Sequence, residues 1–273
     1  LPGGAVNYTE NDPATVIDAT ATVSDSDSAN FDGGTLTVNF TANGTANDRL
    51  SIRDQGPGIG NIQLSGNTII YESGPLTPIG TFTGGTSGSD PLVVTFNAAA
   101  TPSRVQAVMG NITYENMSEN PSTATRTVSF QLTDGDGGTS AAVTENINVG
   151  AVNDDPTNAG TMPTDLVFLQ DTQGKLNLSA IDLSDVDAGS GSLTLTITSD
   201  SGHLQTLGGV GLTLGGSQSQ LILTGSLTDL NTFLDDVNAI DYEHATPGIY
   251  GDNVDLITIE ISDNGNTGSG GGG

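Results

Sequence analysis

Arg126-Thr127-Val128-Ser129-Phe130-Gln131-Leu132-Thr133-Asp134-Gly135 alternates large apolar side chains with small polar ones, then stops at Asp-Gly. A period of two is that of a strand with one face in a core and the other in water, and Asp-Gly is a turn signal. The same alternation runs through Leu36-Thr37-Val38-Asn39-Phe40, Leu92-Val93-Val94-Thr95-Phe96 and Leu256-Ile257-Thr258-Ile259-Glu260-Ile261. Gly, Asn, Asp and Pro bound these runs, so the chain reads as all-β, with antiparallel sheets facing each other in a sandwich. Helical spacing occurs twice and briefly. Val105, Val108, Met109 and Ile112 follow Thr101-Pro102, and Leu227, Leu230, Leu234 and Val237 follow Ser226, each with a hydroxyl residue placed to cap it.

These landmarks recur in order. Val23-Ser24-Asp25-Ser26-Asp27 has its echo in Leu183-Ser184-Asp185-Val186-Asp187, and Leu36-Thr37-Val38 in Leu193-Thr194-Leu195. Leu92 onward matches Leu221 onward, Ile112-Thr113-Tyr114-Glu115 matches Ile240-Asp241-Tyr242-Glu243, and the closing Thr133-Asp134-Gly135 matches Ser262-Asp263-Asn264-Gly265. Such self-similarity predicts two tandem antiparallel β-sandwich modules, each with one short helix. Their spans are 5–152 and 156–268, joined through Val152-Asn153-Asp154-Asp155-Pro156. The offset between copies falls from 160 residues at Asp25 to 128 at Tyr114, so the first copy carries an insertion near 50–90. Gly66-Asn67 between two strand-like runs predicts a hairpin there. The closing Gly268–Gly273 reads as a flexible tail or the start of a linker.

Composition narrows the function. The 273 residues hold 32 acidic and 5 basic side chains, a formal net charge of -27, with no cysteine. Arg49, Arg53, Arg104, Arg126 and Lys175 are scattered, so nucleic acid has no basic patch to meet, and an anionic membrane surface would repel the chain. No apolar run approaches the roughly 18 residues of a spanning helix, and membrane insertion is not expected. Leu1-Pro2-Gly3-Gly4 has neither a charged n-region nor an apolar h-region, and it reads as the start of a mature form or an excised segment. Without cysteine there are no disulfides, thiolate metal sites or cysteine nucleophiles. Acidic residues are 25 Asp against 7 Glu, which places the charge in turns and loops.

Each copy has an early Asp-x-Asp and a late Asp, and converging carboxylates need a cation. Calcium is the natural one, since it takes six to eight oxygen ligands in flexible geometry. A contiguous EF-hand loop does not fit, because Ala29 stands at the third ligand position after Asp25-Ser26-Asp27, so any site is assembled from several loops.

Tyr8-Thr9-Glu10-Asn11-Asp12, Val23-Ser24-Asp25-Ser26-Asp27, Thr133-Asp134-Gly135-Asp136-Gly137-Gly138 and Val152-Asn153-Asp154-Asp155-Pro156 together resemble the cadherin-like repeats strung in tandem through very large secreted bacterial surface proteins and adhesins. The resemblance covers nearly the whole chain. It implies immunoglobulin-like β-sandwich modules, export to the cell surface, and calcium held where one module meets the next. By position it implies Glu10, Asp25, Asp27, Asp134 and Asp136 as ligands of the first copy, with Asn153, Asp154, Asp155, Asp185 and Asp187 stiffening the joint. Copy two departs from the pattern: Gln170 stands in the place of Glu10 and Asn266 in that of the second late carboxylate, so its sites are expected to be weaker or absent.

An enzyme is not expected. His203 and His244 form no HExxH pair, the carboxylates cluster with other acids rather than in an apolar cleft, and Gly56–Gly60 and Gly208–Gly211 match no phosphate-binding fingerprint. The expected role is structural: a calcium-stabilised segment of an extracellular adhesin or fibre, whose partners are neighbouring repeats or identical subunits end to end. Alternatives are a filament subunit joined by strand addition, to which the extended N-terminal segment and Gly-rich tail lend themselves, or a carbohydrate-binding module. The glycan reading would rely on Tyr8, Tyr71 and Tyr250 as surface rings.

Overall fold

Strands form wherever the period-two runs predict them. The computed structural model describes residues 1, 3–164 and 166–265. The chain is all-β with two short helices and divides into two units, 1–152 and 153–273.

Unit 1 runs β1 (Val6–Thr9), β2 (Thr15–Val16), β3 (Thr35–Ala42), β4 (Asp48–Ile52), β5 (Ile62–Ser65), β6 (Thr68–Glu72), β7 (Leu76–Thr83), β8 (Leu92–Phe96), α1 (Pro102–Met109), β9 (Ile112–Asn116), β10 (Arg126–Leu132) and β11 (Val143–Gly150). One sheet has the order β1-β11-β10-β3-β8-β7-β6-β5 and a second the order β2-β9-β4. Leu36 and Val38 from the first and Leu50, Ile52 and Tyr114 from the second join one core. The Gly-Asn hairpin forms between β5 and β6, with Ser65 opposite Thr68 and Gly66 at φ 57°.

Unit 2 runs β12 (Thr157–Asn158), β13 (Gly174–Lys175), β14 (Leu183–Ser184), β15 (Leu193–Ser199), β16 (Gly202–Gln205), β17 (Thr213–Ser217), β18 (Gln220–Gly225), α2 (Leu227–Asp235), β19 (Asp241–His244) and β20 (Ile257–Ser262). Its sheets β17-β18-β15-β20 and β13-β19-β16 repeat the order of β7-β8-β3-β10 and β2-β9-β4, beside a small β12-β14 pair. Strands β5 and β6 have no counterpart, which accounts for the insertion. Register refines the alignment. Leu36 lies between Val94 and Leu132 as Leu195 lies between Leu223 and Ile261, so Leu36 corresponds to Leu195, two residues on from the sequence match and on the same face.

Two expectations need correction. Thr101 does not cap α1 through its side chain; Pro102, with its fixed φ, opens the helix, whereas Ser226 Oγ does accept from the Asp229 amide. Tyr8 is no surface ring: it is 1% exposed and edge-on to Tyr114 at 5.1 Å, its hydroxyl donating to the carbonyls of Asp12 and Asn116. Tyr71 is half-buried beneath the Arg104 guanidinium, which leaves Tyr250 as the exposed ring of the three.

The repeated tyrosine holds each unit together. Tyr114 is fully buried and donates to Asp48 Oδ1 at 2.6 Å, and Asn116 Nδ2 donates to the same oxygen. Asp48 Oδ2 accepts from the Thr45 amide and meets Arg126 Nε at 3.4 Å, both charged side chains wholly buried. Arg126 Nη1 donates in turn to the carbonyls of Ser122 and Ala124. Unit 2 keeps the tyrosine but reverses the strands: Tyr242 donates at 2.7 Å to Asp255, which stands as far before Asp263 as Arg126 stands before Asp134. Gly202 takes the place of Asp48, and a Cβ there would lie 2.1 Å from the Tyr242 ring.

Burial alone would raise the pKa of Asp48, but hydrogen bonds from Tyr114, Thr45 and Asn116 and the charge of Arg126 hold it below the ordinary carboxylate value. Asp255 is lowered likewise against its burial, by Ser199, Tyr242 and the amides of Ser201 and Leu256. A carboxyl depressed on folding stabilises above its unfolded pKa of about 3.9 and loses that contribution as pH falls through the folded value. Denaturant titrations across pH should therefore show an acid limb that flattens in Asp48→Asn. At neutral pH Asp48→Ala, which strands a buried guanidinium, should cost about 3–5 kcal/mol. Tyr242→Phe should cost about 1.5–3 kcal/mol through loss of a hydrogen bond to a charged acceptor.

Candidate metal centre

An Asp-x-Asp sequence folds locally into a turn in which the first carboxylate accepts backbone amides ahead of it. In unit 1, Asp25 Oδ1 accepts from the amides of Asp27 and Ser28; in unit 2, Asp185 Oδ1 accepts from Asp187 and Ala188. One oxygen of each leading aspartate is thus spent on the turn.

The late aspartate then arrives at the end of the long alternating strand. Asp25, Asp27 and Asp134 each present a carboxylate oxygen within 4.8 Å of the others, and so do Asp185, Asp187 and Asp263. The two triads hold matching places in two units that share a strand order. Oxygens that share one calcium ion at about 2.3–2.6 Å stand no more than about 5 Å apart, so the spacing of both triads suits a common ion. The donors are all hard carboxylates. Among the described residues the salt bridges are Arg126–Asp48 and Lys175–Asp241, so no basic side chain offsets the unit 1 triad.

The unit 1 triad opens to solvent. Asp27 is exposed, Asp25 and Asp134 are half-buried, and a depression of about 220 Å³ beside them is lined by Ser24, Asp25, Phe31, Leu132 and Asp134. Asp25 is held low by the amides of Asp27 and Ser28, whereas Asp27 is pushed up by sharing with Asp25 and by its charge. Asp134 Oδ1 accepts from the amides of Asp136 and Gly138, which shapes the turn after β10. Asp136 stays outside the triad, its carboxylate taking a hydrogen bond from Ser28 Oγ at 2.7 Å.

The unit 2 triad is the more enclosed, although Gln170 and Asn266 suggest a weaker site. Gln170 is exposed beside Asp171, and Asn266 lies outside the described residues. Asp187 is 0% exposed and Asp263 6%. Asp187 Oδ2 accepts the Asp154 amide at 3.0 Å, while Asp187 Oδ1 and Asp185 Oδ2 are buried and receive no donor among the described residues. Carboxylates about 4.8 Å apart repel by about 0.9 kcal/mol in bulk water and by about 3.5 kcal/mol at an effective dielectric of about 20. Burial first, then Asp185 and the charge of Asp154, push Asp187 above the usual carboxylate range, against the opposing pull of the Asp154 amide.

The remaining expected ligands divide. Glu10, at the end of β1, is buried; its Oε2 accepts the Val152 amide at 2.8 Å, and its carboxylate lies within 4.8 Å of that of Glu119, which also accepts from Asn11 Nδ2. Asn153 is half-buried and Asp155 is exposed. Sequence reasoning did not pick out Glu119, which sits in the pattern-free loop after β9. It passed over Asp263 as a ligand even though the repeat marks that position.

No protein-family model matches this chain, and no curated protein matches it.

Replacing Asp187 separates a metal ligand from a turn former. A carboxyl whose pKa is raised on folding opposes folding increasingly as pH climbs from its unfolded value, about 3.9, through the folded one. In chelator at neutral pH, Asp187→Asn should therefore melt higher than the parent, and this advantage should vanish below about pH 4. In millimolar calcium the order should reverse, as followed by calorimetry. A variant destabilised equally with and without calcium would mark Asp187 as a turn residue.

Proposed function

We propose that this chain is a calcium-stabilised structural segment of an extracellular bacterial surface adhesin or fibre, built of two cadherin-like β-sandwich modules and without enzymatic activity. The observation that carries the reading is the recurrence of one three-carboxylate arrangement at equivalent positions of two units whose sheets share a strand order. One crowded carboxylate group has many explanations; the same group rebuilt in a second unit, where Asp187 Oδ1 and Asp185 Oδ2 are buried with no donor among the described residues, points to a shared ligand.

The physical role follows from linkage. A cation bound by the folded state alone stabilises it by about 1.4 kcal/mol at ten times its dissociation constant and about 2.7 kcal/mol at a hundred times. Extracellular modules bind calcium at about 0.1–1 mM, so the ion is retained outside cells and lost within them. In calcium the triads become rigid points that hold the start of each repeat to the end of its long strand, since Asp25 and Asp134, or Asp185 and Asp263, come from opposite ends of the unit. A module tied at both ends transmits tension without unravelling from a terminus. That property suits a spacer between a surface and whatever it grips.

Thermal melts and small-angle scattering in millimolar calcium, then in excess chelator at fixed ionic strength, test this reading. Chelation should lower the melting temperature by a few degrees and broaden the distance distribution, and magnesium should restore both poorly. Unchanged melting and scattering on chelation would overturn calcium stabilisation and leave the aspartates as turn formers.

A further inference from the structure

Helix α2 breaks a local rule at its C-terminal end. Ser226 opens it and Asp229 stands in its first turn, where a carboxylate meets the positive end of the helix dipole. Asp235 and Asp236 then close it at the negative end, and none of the five basic residues of the chain lies on the helix. Carboxylates so placed are unfavourable unless a cation joins them. The ion pairs among the described residues are those of Asp48 and Asp241, and neither involves this helix.

Asp229, Phe233 and Asp236 follow the spacing that shares one helix face, and that face lines a cavity of about 340 Å³. Gly209 and Val210 belong to the facing wall, and Val210 is 95% exposed. The loop is glycine where it nears the helix. A Cβ on Gly211, at φ 78°, would stand 2.5 Å from Asp229 Oδ2, and one on Gly209 would stand 3.4 Å from the Phe233 ring. Asp229 Oδ2 accepts from Ser226 Oγ at 2.7 Å and Asp236 Oδ1 from the Asn238 amide at 2.9 Å, so the second oxygen of each remains for a ligand. The two aspartates are seven residues, or about 10 Å, apart along the helix axis, with the apolar ring of Phe233 between them. One ammonium group cannot serve both carboxylates, whereas two joined by a short alkyl chain can.

We propose that this cavity of unit 2 is a binding site for an aliphatic diamine, with one ammonium group at Asp229, the other at Asp236 and the methylene chain over Phe233 and Val210. Each ammonium group gains a charge-assisted hydrogen bond, and the one at Asp236 also meets the negative end of the α2 dipole. The volume lies at the lower end of small-ligand pockets, about 300–1,000 Å³, which suits a diamine and not a folded partner. A neutral sugar would leave the charge at the end of the helix unanswered. The cavity shares no residue with the Asp185–Asp187–Asp263 triad, so the inference stands apart from calcium.

Isothermal titration of the full 273-residue chain with 1,5-diaminopentane provides the test, in millimolar calcium so that the amine does not compete for the triads. Pentylamine and 1,5-pentanediol probe the same chain length with one charge and with none. The diamine should bind one per chain, pentylamine about tenfold more weakly and the diol not at all, since each end contributes a charge-assisted hydrogen bond. Asp236→Asn, which keeps the oxygen that accepts from Asn238, should weaken the diamine about tenfold. Asp252→Asn removes the same charge at an exposed position outside the cavity and should leave binding unchanged. Hydrogen exchange should slow over 207–212 and 229–239 with saturating diamine. Equal losses in the two variants would mean general attraction to a chain of net charge -27 and would overturn the proposal. So would a diamine that binds no tighter than pentylamine, or protection that falls outside those two segments.

Discussion

A tyrosine hydroxyl taken out of water must find an acceptor, and for the tyrosine at the matching place in both units, Tyr114 and Tyr242, the acceptor is a carboxylate. This fixes more than one hydrogen bond. In unit 1 the ring of Tyr114 lies against Tyr8 and Phe40, and its acceptor Asp48 reaches across to β9 from β4. A carboxylate so buried needs a counter-charge, and β10 supplies it as Arg126. Three strands from two sheets are thereby pinned at one point, where a purely apolar core would leave their relative position free to slide. Unit 2 reaches the same end with fewer parts. Asp255 is less deeply buried, draws on Ser199 and two backbone amides, and needs no guanidinium.

The charge of the chain follows a related logic. Of its five basic residues, one is consumed by Asp48 and one forms an exposed pair with Asp241. The aspartates in turns are therefore balanced by backbone amides and solvent. Where three of them meet, amides reach one oxygen of Asp25 and Asp134 in unit 1 and one of Asp185 and Asp187 in unit 2. The enclosed triad of unit 2 is where the deficit is greatest, since water is furthest away there.

Much of this was legible in the sequence, for identifiable reasons. Strand positions follow from alternation, which is local, and the hairpin from Gly66-Asn67, whose first residue takes the positive φ that a two-residue turn requires. The Asp-x-Asp turns were legible because each carboxylate binds amides two and three residues ahead. Cross-strand polar partners were not. Nothing in the neighbourhood of Asp48 or Asp255 announces that a tyrosine lies more than sixty residues away from the one and thirteen from the other. Tyr8 was misplaced because a single ring beside Asn and Thr looks solvated until β11 lies alongside it. The expectation of a weak second site arose from Gln170, which is exposed beside Asp171, and from Asn266, which lies outside the described residues.

The exchange of charge between strands bears on how such a gene can change. Tandem repeats invite unequal crossing-over, which fuses the front of one copy to the back of another. Here a fusion between the fourth and tenth strand positions yields one of two defective cores. Asp48 joined to Asp255 would set two carboxylates on one tyrosine, and Gly202 joined to Arg126 would bury a guanidinium with no anion. The two solutions are each self-consistent and mutually incompatible, so hybrid repeats are penalised at the level of folding. Divergence at this one buried point sets the two units apart at the level of the core.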